Sequence, residues 1–319
     1  MRESKAGVLA YPNSNNLGDF IQSIAAAQWF EGPPLFLDRE ALHLYQGQKV
    51  KLFMNGWFME APKNWPPSEV IRPLFISFHL NPTAEKGLLK PEGISYLKKH
   101  QPIGCRDLYT QTILERHGIR AYFSGCLTLS LKRALFVNPN QKRKGILVVS
   151  PLERLLPTHT NTKKEGIKEA LLSKIQSVKQ PFKAKQYKQA MHLLQTYLAQ
   201  AEDEIHYTSQ LMDPKGYSEQ ERSKAALDLL KSIASAKMVV TSRIHTALPA
   251  VAFNTPVLFL ADGLDHINQK SRLDGIDSFF YSLQSKDLKN KPFEIPKQKP
   301  VSSEILARFE KEITDFLNT

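Results

Sequence analysis

The stretch "KMVVTSRIHTALPAVAFNTPVLFL", Lys237 to Leu260, packs a buried-strand pattern, a polar break, a short helix and a second buried strand into one short span. Apolar strands that alternate with helices are covered on both faces, which selects parallel sheets sandwiched between helices. The same alternation opens the chain. "KAGVLAY" (Lys5–Tyr11) suits a buried strand, "PNSNNLGD" is a cluster of turn-formers, and "FIQSIAAAQWF" places Ile21, Ile24, Ala25, Gln28 and Trp29 at helical spacing, with Asp19 as the expected N-cap. Further strands are expected in "PLFLD", "KLFMNGWF", "PLFISFH" and "IRAYFSG". A helix over "LYTQTILERHG" is expected to be capped by Asp107 and stopped by Gly118.

A second series begins at "GILVVSP" (Gly145–Pro151), after the polar "NPNQKRK". It runs through a long helical stretch, roughly 161–200, to the strand-like "DEIHYTS". The helix "SEQERSKAALDLLKSIASA" follows, where Ser218 and Glu221 fit a capping box. The expected architecture is α/β, with two Rossmann-like lobes facing across a cleft. The N-terminal lobe is expected over residues 1–138, the C-terminal lobe over 139–300, and a closing helix that packs back on the body over 301–319.

The two cysteines, Cys105 and Cys126, are too few for a disulfide framework or a cysteine zinc site and are expected to be reduced thiols. No metal site is expected. The N-terminus has no signal-peptide pattern and no apolar run reaches the roughly 20 residues of a membrane span, so the expected location is cytoplasmic. A formal net charge of +12 favours anionic partners. No DNA- or RNA-binding motif accompanies it, which argues against nucleic acid. The lysine-rich segment from "QKRKG" through Lys163, Lys164, Lys168, Lys174, Lys179, Lys183, Lys185 and Lys188 reads either as a solvated helical face or as a peripheral contact with the anionic inner face of the membrane.

Ligands of open α/β sheets gather beyond the carboxyl ends of the strands, and four polar turns occupy that position. "NLGD" offers Asn16, Gly18 and Asp19: a helix start able to hold an anion, beside a carboxylate that either caps the helix or meets an acceptor hydroxyl. "GCRD" brings Arg106, which either binds a ligand or pairs with Asp107. "DEIHYTS" brings His206, either ligand-binding or structural. In "TSRIH", Pro249 is decisive for the expectation. A proline inside a helix costs roughly 3 kcal/mol, so Thr246 is the expected N-cap and Arg243, Ile244 and His245 stand in the loop. Arginine suits bidentate pairing with carboxylate or phosphate, and histidine suits proton transfer.

Three blocks, "NLGDFIQSIAA", "PIGCRDLYTQTILERHGIRAYFSGCLTLSL" and "ERSKAALDLLKSIASAKMVVTSRIHTALPAVAFNTPVLF", together resemble the polysaccharide pyruvyl transferase family. The resemblance implies a glycosyltransferase-B-like fold and phosphoenolpyruvate as donor substrate, with no cofactor. The acceptor it implies is a hexose of a glycan or lipid-linked sugar that receives pyruvate as a ketal. It also implies that Arg106 and the Arg243-Ile244-His245 motif bind the donor, with Asn16, Gly18 and His206 beside them. The catalytic group would be His245, Arg243 and Asp19. His206 departs from the family pattern, because Ile205 stands where the family has Thr. A nucleotide-sugar glycosyltransferase on the same fold and a non-catalytic anion-binding protein are the alternatives left open.

Overall fold

The computed structural model of the chain describes residues 5–156 and 167–319, the stretch 167–180 as helical backbone alone. The predicted strand–turn–helix opening is present as β1 (Lys5–Ala10) and α1 (Leu17–Ala27). β2 (Leu35–Asp38), β3 (Val50–Phe53), β4 (Gly56–Phe58), β5 (Ile71–Leu74) and β6 (Phe78–Leu80) follow. After α2 (Glu85–Leu88) and α3 (Pro91–Lys99) come β7 (Ile103–Cys105), α4 (Leu108–Arg116) and β8 (Ala121–Phe123).

The strands expected over "KLFMNGWF" and "PLFISFH" are each split in two. β3 and β5 belong to a sheet of order β2-β1-β3-β5, whereas β4 and β6 belong to one of order β4-β6-β7-β8. Bonds from Met54 N to Leu74 O (2.8 Å) and from Gly56 N to Ser77 O (3.1 Å) carry the pairing across the break. The two sheets therefore form one bent, all-parallel layer. Ser77, with φ of 61°, sits at the bend. Asp107 caps α4 by accepting from Thr110 N, and Gly118 at φ 69° ends it, both as the sequence predicts.

The second lobe is a parallel sheet of order β10-β9-β11-β12-β13. It is built from β9 (Ile146–Val149), β10 (Ile205–Thr208), β11 (Met238–Thr241), β12 (Val257–Leu260) and β13 (Tyr281–Leu283). Its helices are α5 (Ile167–Leu198), α6 (Glu219–Ser235), α7 (Ile244–Ala252) and α8 (Ile267–Leu273). The Ser218–Glu221 capping box is present on α6. The expected start of the long helix before Ile167, with Lys163 and Lys164, lies outside the described residues, as do the side chains of Lys168, Lys174 and Lys179. Lys185 and Lys188 are exposed on α5, and Lys183 is half-buried. Among the described residues no helix is long and apolar enough to cross a membrane.

One continuous apolar cluster joins the lobes. It runs from Val8, Phe20, Ile21 and Ala25 through Leu229, Leu230 and Ile233 of α6 to Ala247 and Leu248 of α7. α9 (Ser303–Asn318) adds Phe309, Ile313 and Phe316 to it, and Lys51 Nζ reaches Leu317 O at 2.5 Å. Each fully buried Ile, Leu or Phe contributes roughly 1.5–3 kcal/mol, so α1 is held from both lobes. A backbone zipper adds register: Leu17 N donates to Gln210 O (2.9 Å) and Met212 N to Asn15 O (2.8 Å). The carboxyl ends of both sheets are thereby fixed against each other, and the polar turns converge there.

Candidate active site

The turn after β11 is clamped from two sides. Thr241 Oγ1 donates to Val149 O (2.8 Å) and accepts from Arg243 N (3.0 Å), while Ser242 Oγ donates to Ser150 O (2.9 Å). Ser150 and Leu152 take left-handed backbone at φ 42° and 57°. Such residues cost about 1–3 kcal/mol each and persist where the surroundings over-determine them.

The Pro249 argument places the start of α7 wrongly. The helix begins at Ile244 with Arg243 as N-cap, and Pro249 lies inside it. Arg243 O accepts from Thr246 N (3.1 Å) and Ala247 N (2.9 Å). Burial decides the outcome: every residue from Ile244 to Val251 is buried. Several apolar side chains at roughly 1.5–3 kcal/mol each outweigh about 3 kcal/mol for the proline. His245 is therefore fixed on the first helical turn, only 2 % exposed, rather than carried on a loop.

The N-cap of α1 is also corrected. Asn16 is in extended conformation and its Oδ1 accepts from Gly18 N (3.1 Å). Asp19 falls within the first helical turn, where its carboxylate accepts from Ser14 Oγ (2.5 Å) and Gln22 Nε2 (3.3 Å). Gly18 is a close-approach position. A Cβ there would stand 2.5 Å from Gln210 Nε2 and 2.9 Å from His245 Cβ. Gln210 ties the turns together by donating from Nε2 to Asn16 Oδ1 (2.7 Å) and accepting from Thr246 Oγ1.

A narrow cleft opens at this junction, lined among others by Asn16, Arg154, Gln210, Arg243, His245 and Arg272. Arg106 is completely buried and is not part of the lining, but its charge acts on His245, which is. Arg106 Nε lies 3.4 Å from Asp107 Oδ2, but none of its three guanidinium nitrogens has a hydrogen-bond partner among the described residues. Asp107 is already engaged by Thr110 N (2.9 Å), Thr110 Oγ1 (2.7 Å) and His79 Nδ1 (2.6 Å). Of the sequence alternatives for Arg106, the pairing with Asp107 is present as a 3.4 Å approach without a hydrogen bond. Arg243, in contrast, is paired through Nε (2.6 Å) and Nη2 with the carboxylate of Glu153.

The field here is strongly positive. Burial, then the charges of Arg106 and Arg272, then those of His79 and Arg243, push His245 well below the usual histidine range. Burial and Arg106 hold His79 at about 4, although Asp107 pulls the other way. Burial brings Arg272 down to about 9, aided by Arg106 and Arg154, and Arg243 down to about 10 against the pull of Asp19. For Asp107 burial opposes ionisation, but His79, Arg106 and Thr110 overcome it and hold the carboxyl below its ordinary value.

The structure thus brings together Asn16, Gly18, Asp19, Arg106, Arg243, Ile244 and His245. Ile244 lines the cleft and also belongs to the apolar core. His206 is not among them. It is the second residue of β10, away from the carboxyl end, exposed, and 3.4 Å from Glu204. Sequence reasoning missed His79, Glu153, Arg154, Gln210 and Arg272 as site residues. A histidine ending the apolar run "ISFH" was the only visible signal for His79. Arg272, on a short helix, carried none. Among the described residues no three His, Cys, Asp or Glu side chains are grouped to hold a metal ion.

The model of one family, described as polysaccharide pyruvyl transferase, matches residues 73–263, more than half of the chain. The chain belongs to the polysaccharide pyruvyl transferase family. The match includes His79, Arg106, Arg243 and His245; Asn16–Asp19 and Arg272 lie outside it. No curated protein matches the chain. Among solved structures, a functionally uncharacterized protein from Klebsiella pneumoniae aligns at 10% identity and TM-score 0.45, covering 94% of each chain. S. aureus MnaA in its UDP co-structure aligns at 11% and 0.45, covering 100% of this chain and 97% of that one. The Methanocaldococcus jannaschii UDP-GlcNAc 2-epimerase in complex with UDP-GlcNAc and UDP aligns at 11% and 0.39, covering 98% and 99%.

Proposed function

We propose that the chain transfers pyruvate from phosphoenolpyruvate to a hexose of a cell-surface polysaccharide or its precursor, forming a ketal and releasing phosphate. The observation that carries this reading is Arg106. Asp107 lies within ion-pair distance of Arg106, but burying a guanidinium whose nitrogens make no hydrogen bond costs several kcal/mol, which supports a ligand that would supply the acceptors. Phosphoenolpyruvate carries about three negative charges, up to two of them on phosphate; Arg154, Arg243 and Arg272 line the cleft, and Arg106 is buried close enough to act on His245.

His245 is the proposed general acid, delivering a proton to the methylene carbon so that C2 gains oxocarbenium character. Burial and the surrounding cations disfavour protonation of His245. A multiply charged anion reverses that local field and raises the proton affinity of the imidazole, so the acid is charged only when the donor is present. Asp19 is the proposed group that orients the acceptor hydroxyl. Peripheral contact with anionic lipid through Lys185 and Lys188 is the accompanying proposal for location.

The test is incubation with phosphoenolpyruvate and a panel of β-linked hexosides, read as phosphate release and a product carrying a pyruvate ketal. Release of UDP or GDP from a nucleotide sugar, with phosphoenolpyruvate inert, would transfer the assignment to a glycosyltransferase.

A further inference from the structure

His79 is the second histidine of this site, and its geometry is that of an oriented base. The ring is completely buried in the middle of β6. Its Nδ1 lies 2.6 Å from Asp107 Oδ2 and its Nε2 has no hydrogen-bond partner among the described residues. A carboxylate only accepts, so the Nδ1 facing it carries the proton and the lone pair is on Nε2. Asp107 is itself held by both Thr110 donors, which fixes the ring's orientation. The ionisable groups acting on His79 are Arg106 and Asp107 at the end of β7 and Arg272 on α8. His79 in turn acts on His245 of α7. The two histidines thus come from different lobes and flank one guanidinium.

We propose that Asp107–His79 is the base of the transfer, His79 Nε2 taking the proton of the first acceptor hydroxyl, with Asp107 as its positioning residue. This rests on the reading of the chain as a pyruvyl transferase. The ketal requires two hydroxyl protons to leave; one equivalent ends on the methylene carbon and one on the departing phosphate. In the first half, His245 protonates the methylene carbon, the hydroxyl oxygen bonds to C2 and its proton passes to His79 Nε2. In the second half, the C2–O bond to phosphate breaks, His79 returns its proton to the phosphate oxygen, and the second hydroxyl closes the ring while its proton restores His245. Protons balance, no oxidant or reductant is needed, and each histidine ends as it began. Nearby cations keep Nε2 unprotonated beforehand, and Asp107 stabilises the imidazolium once formed, the division of labour of a carboxylate–histidine pair.

The deciding variant is His79→Asn, whose side-chain amide can still donate to Asp107 but has nothing in place of Nε2. Phosphoenolpyruvate affinity, measured by isothermal titration, should stay within about threefold of wild type, with an unchanged circular dichroism spectrum. The kcat for ketal formation should fall by about 10²–10⁴-fold, and the acidic limb of the kcat/KM pH profile should disappear. Asp107→Asn should lower kcat with that limb displaced. Turnover of His79→Asn within threefold of wild type, or loss of donor affinity in step with turnover, overturns the proposal. Wild-type protein that makes no ketal with any hexoside overturns the transferase reading, and the proposal with it.

Discussion

Gly18→Ala probes the joint on which the whole site depends. The new methyl would stand 2.9 Å from His245 Cβ and 2.5 Å from Gln210 Nε2. Carbon atoms pack at about 3.5–4.0 Å, so α1 and α7 must separate by at least about half an ångström. Gln210 cannot simply swing away, because Asn16 and Thr246 hold both ends of its amide. Overpacking of this kind costs about 1–3 kcal/mol, and Ala recovers less than the roughly 1 kcal/mol of an interior helix position. Tm should fall by about 1–4 °C. Turnover should fall further, because a displacement of about 1 Å at a catalytic group can cost about 10²-fold. Gly32→Ala is the control, since a Cβ there meets nothing within 4 Å. Thermal melts and the phosphate-release assay on both variants give the answer. If Gly18→Ala matches wild type and Gly32→Ala in Tm and turnover, the α1–α7 joint does not position His245.

Stability should depend on pH through the buried histidines. His79 is held at about 4 against an ordinary 6.5, so its folded form resists protonation while the unfolded chain takes up the proton. The stability is full above pH 6.5 and falls by roughly 3 kcal/mol as pH drops to 4; His245 adds loss of the same sign, and urea melts between pH 7 and 4.5 measure the sum. Glu153→Gln removes the carboxylate that pairs with Arg243. Inorganic phosphate should then bind about tenfold more tightly by titration calorimetry, roughly 1.4 kcal/mol, while Tm drops because a nearly buried ion pair is broken.

Some of this site was legible residue by residue. Arg106 and Asp107 could be placed at a strand end because "PIGC" is apolar and Asp is a strong N-cap, and the structure has them there. Arg243 and His245 could be placed after β11 for the same reason. The helix start at Ile244 was not legible. It turned on whether burial of Ile244, Leu248 and Val251 exceeds the cost of Pro249, and burial is a property of the packed molecule. Asn16 and Asp19 are both good capping residues, and the choice fell to Asn16 through the zipper to Gln210, far along the chain.

Local pattern therefore determined the alternation of strands and helices, the two lobes, the caps at Asp107 and Ser218, and the presence of cationic side chains at strand ends. Each of these rests on interactions between residues a few positions apart, which a linear sequence displays directly. Tertiary structure alone decided the bend that splits the first sheet, the exclusion of His206, the pairing of Arg243 with Glu153, and the convergence of His79 and Arg272 on Arg106 and His245. Those depend on which elements pack side by side. An orphaned guanidinium or an oriented imidazole exists only once distant turns have closed around it and removed water.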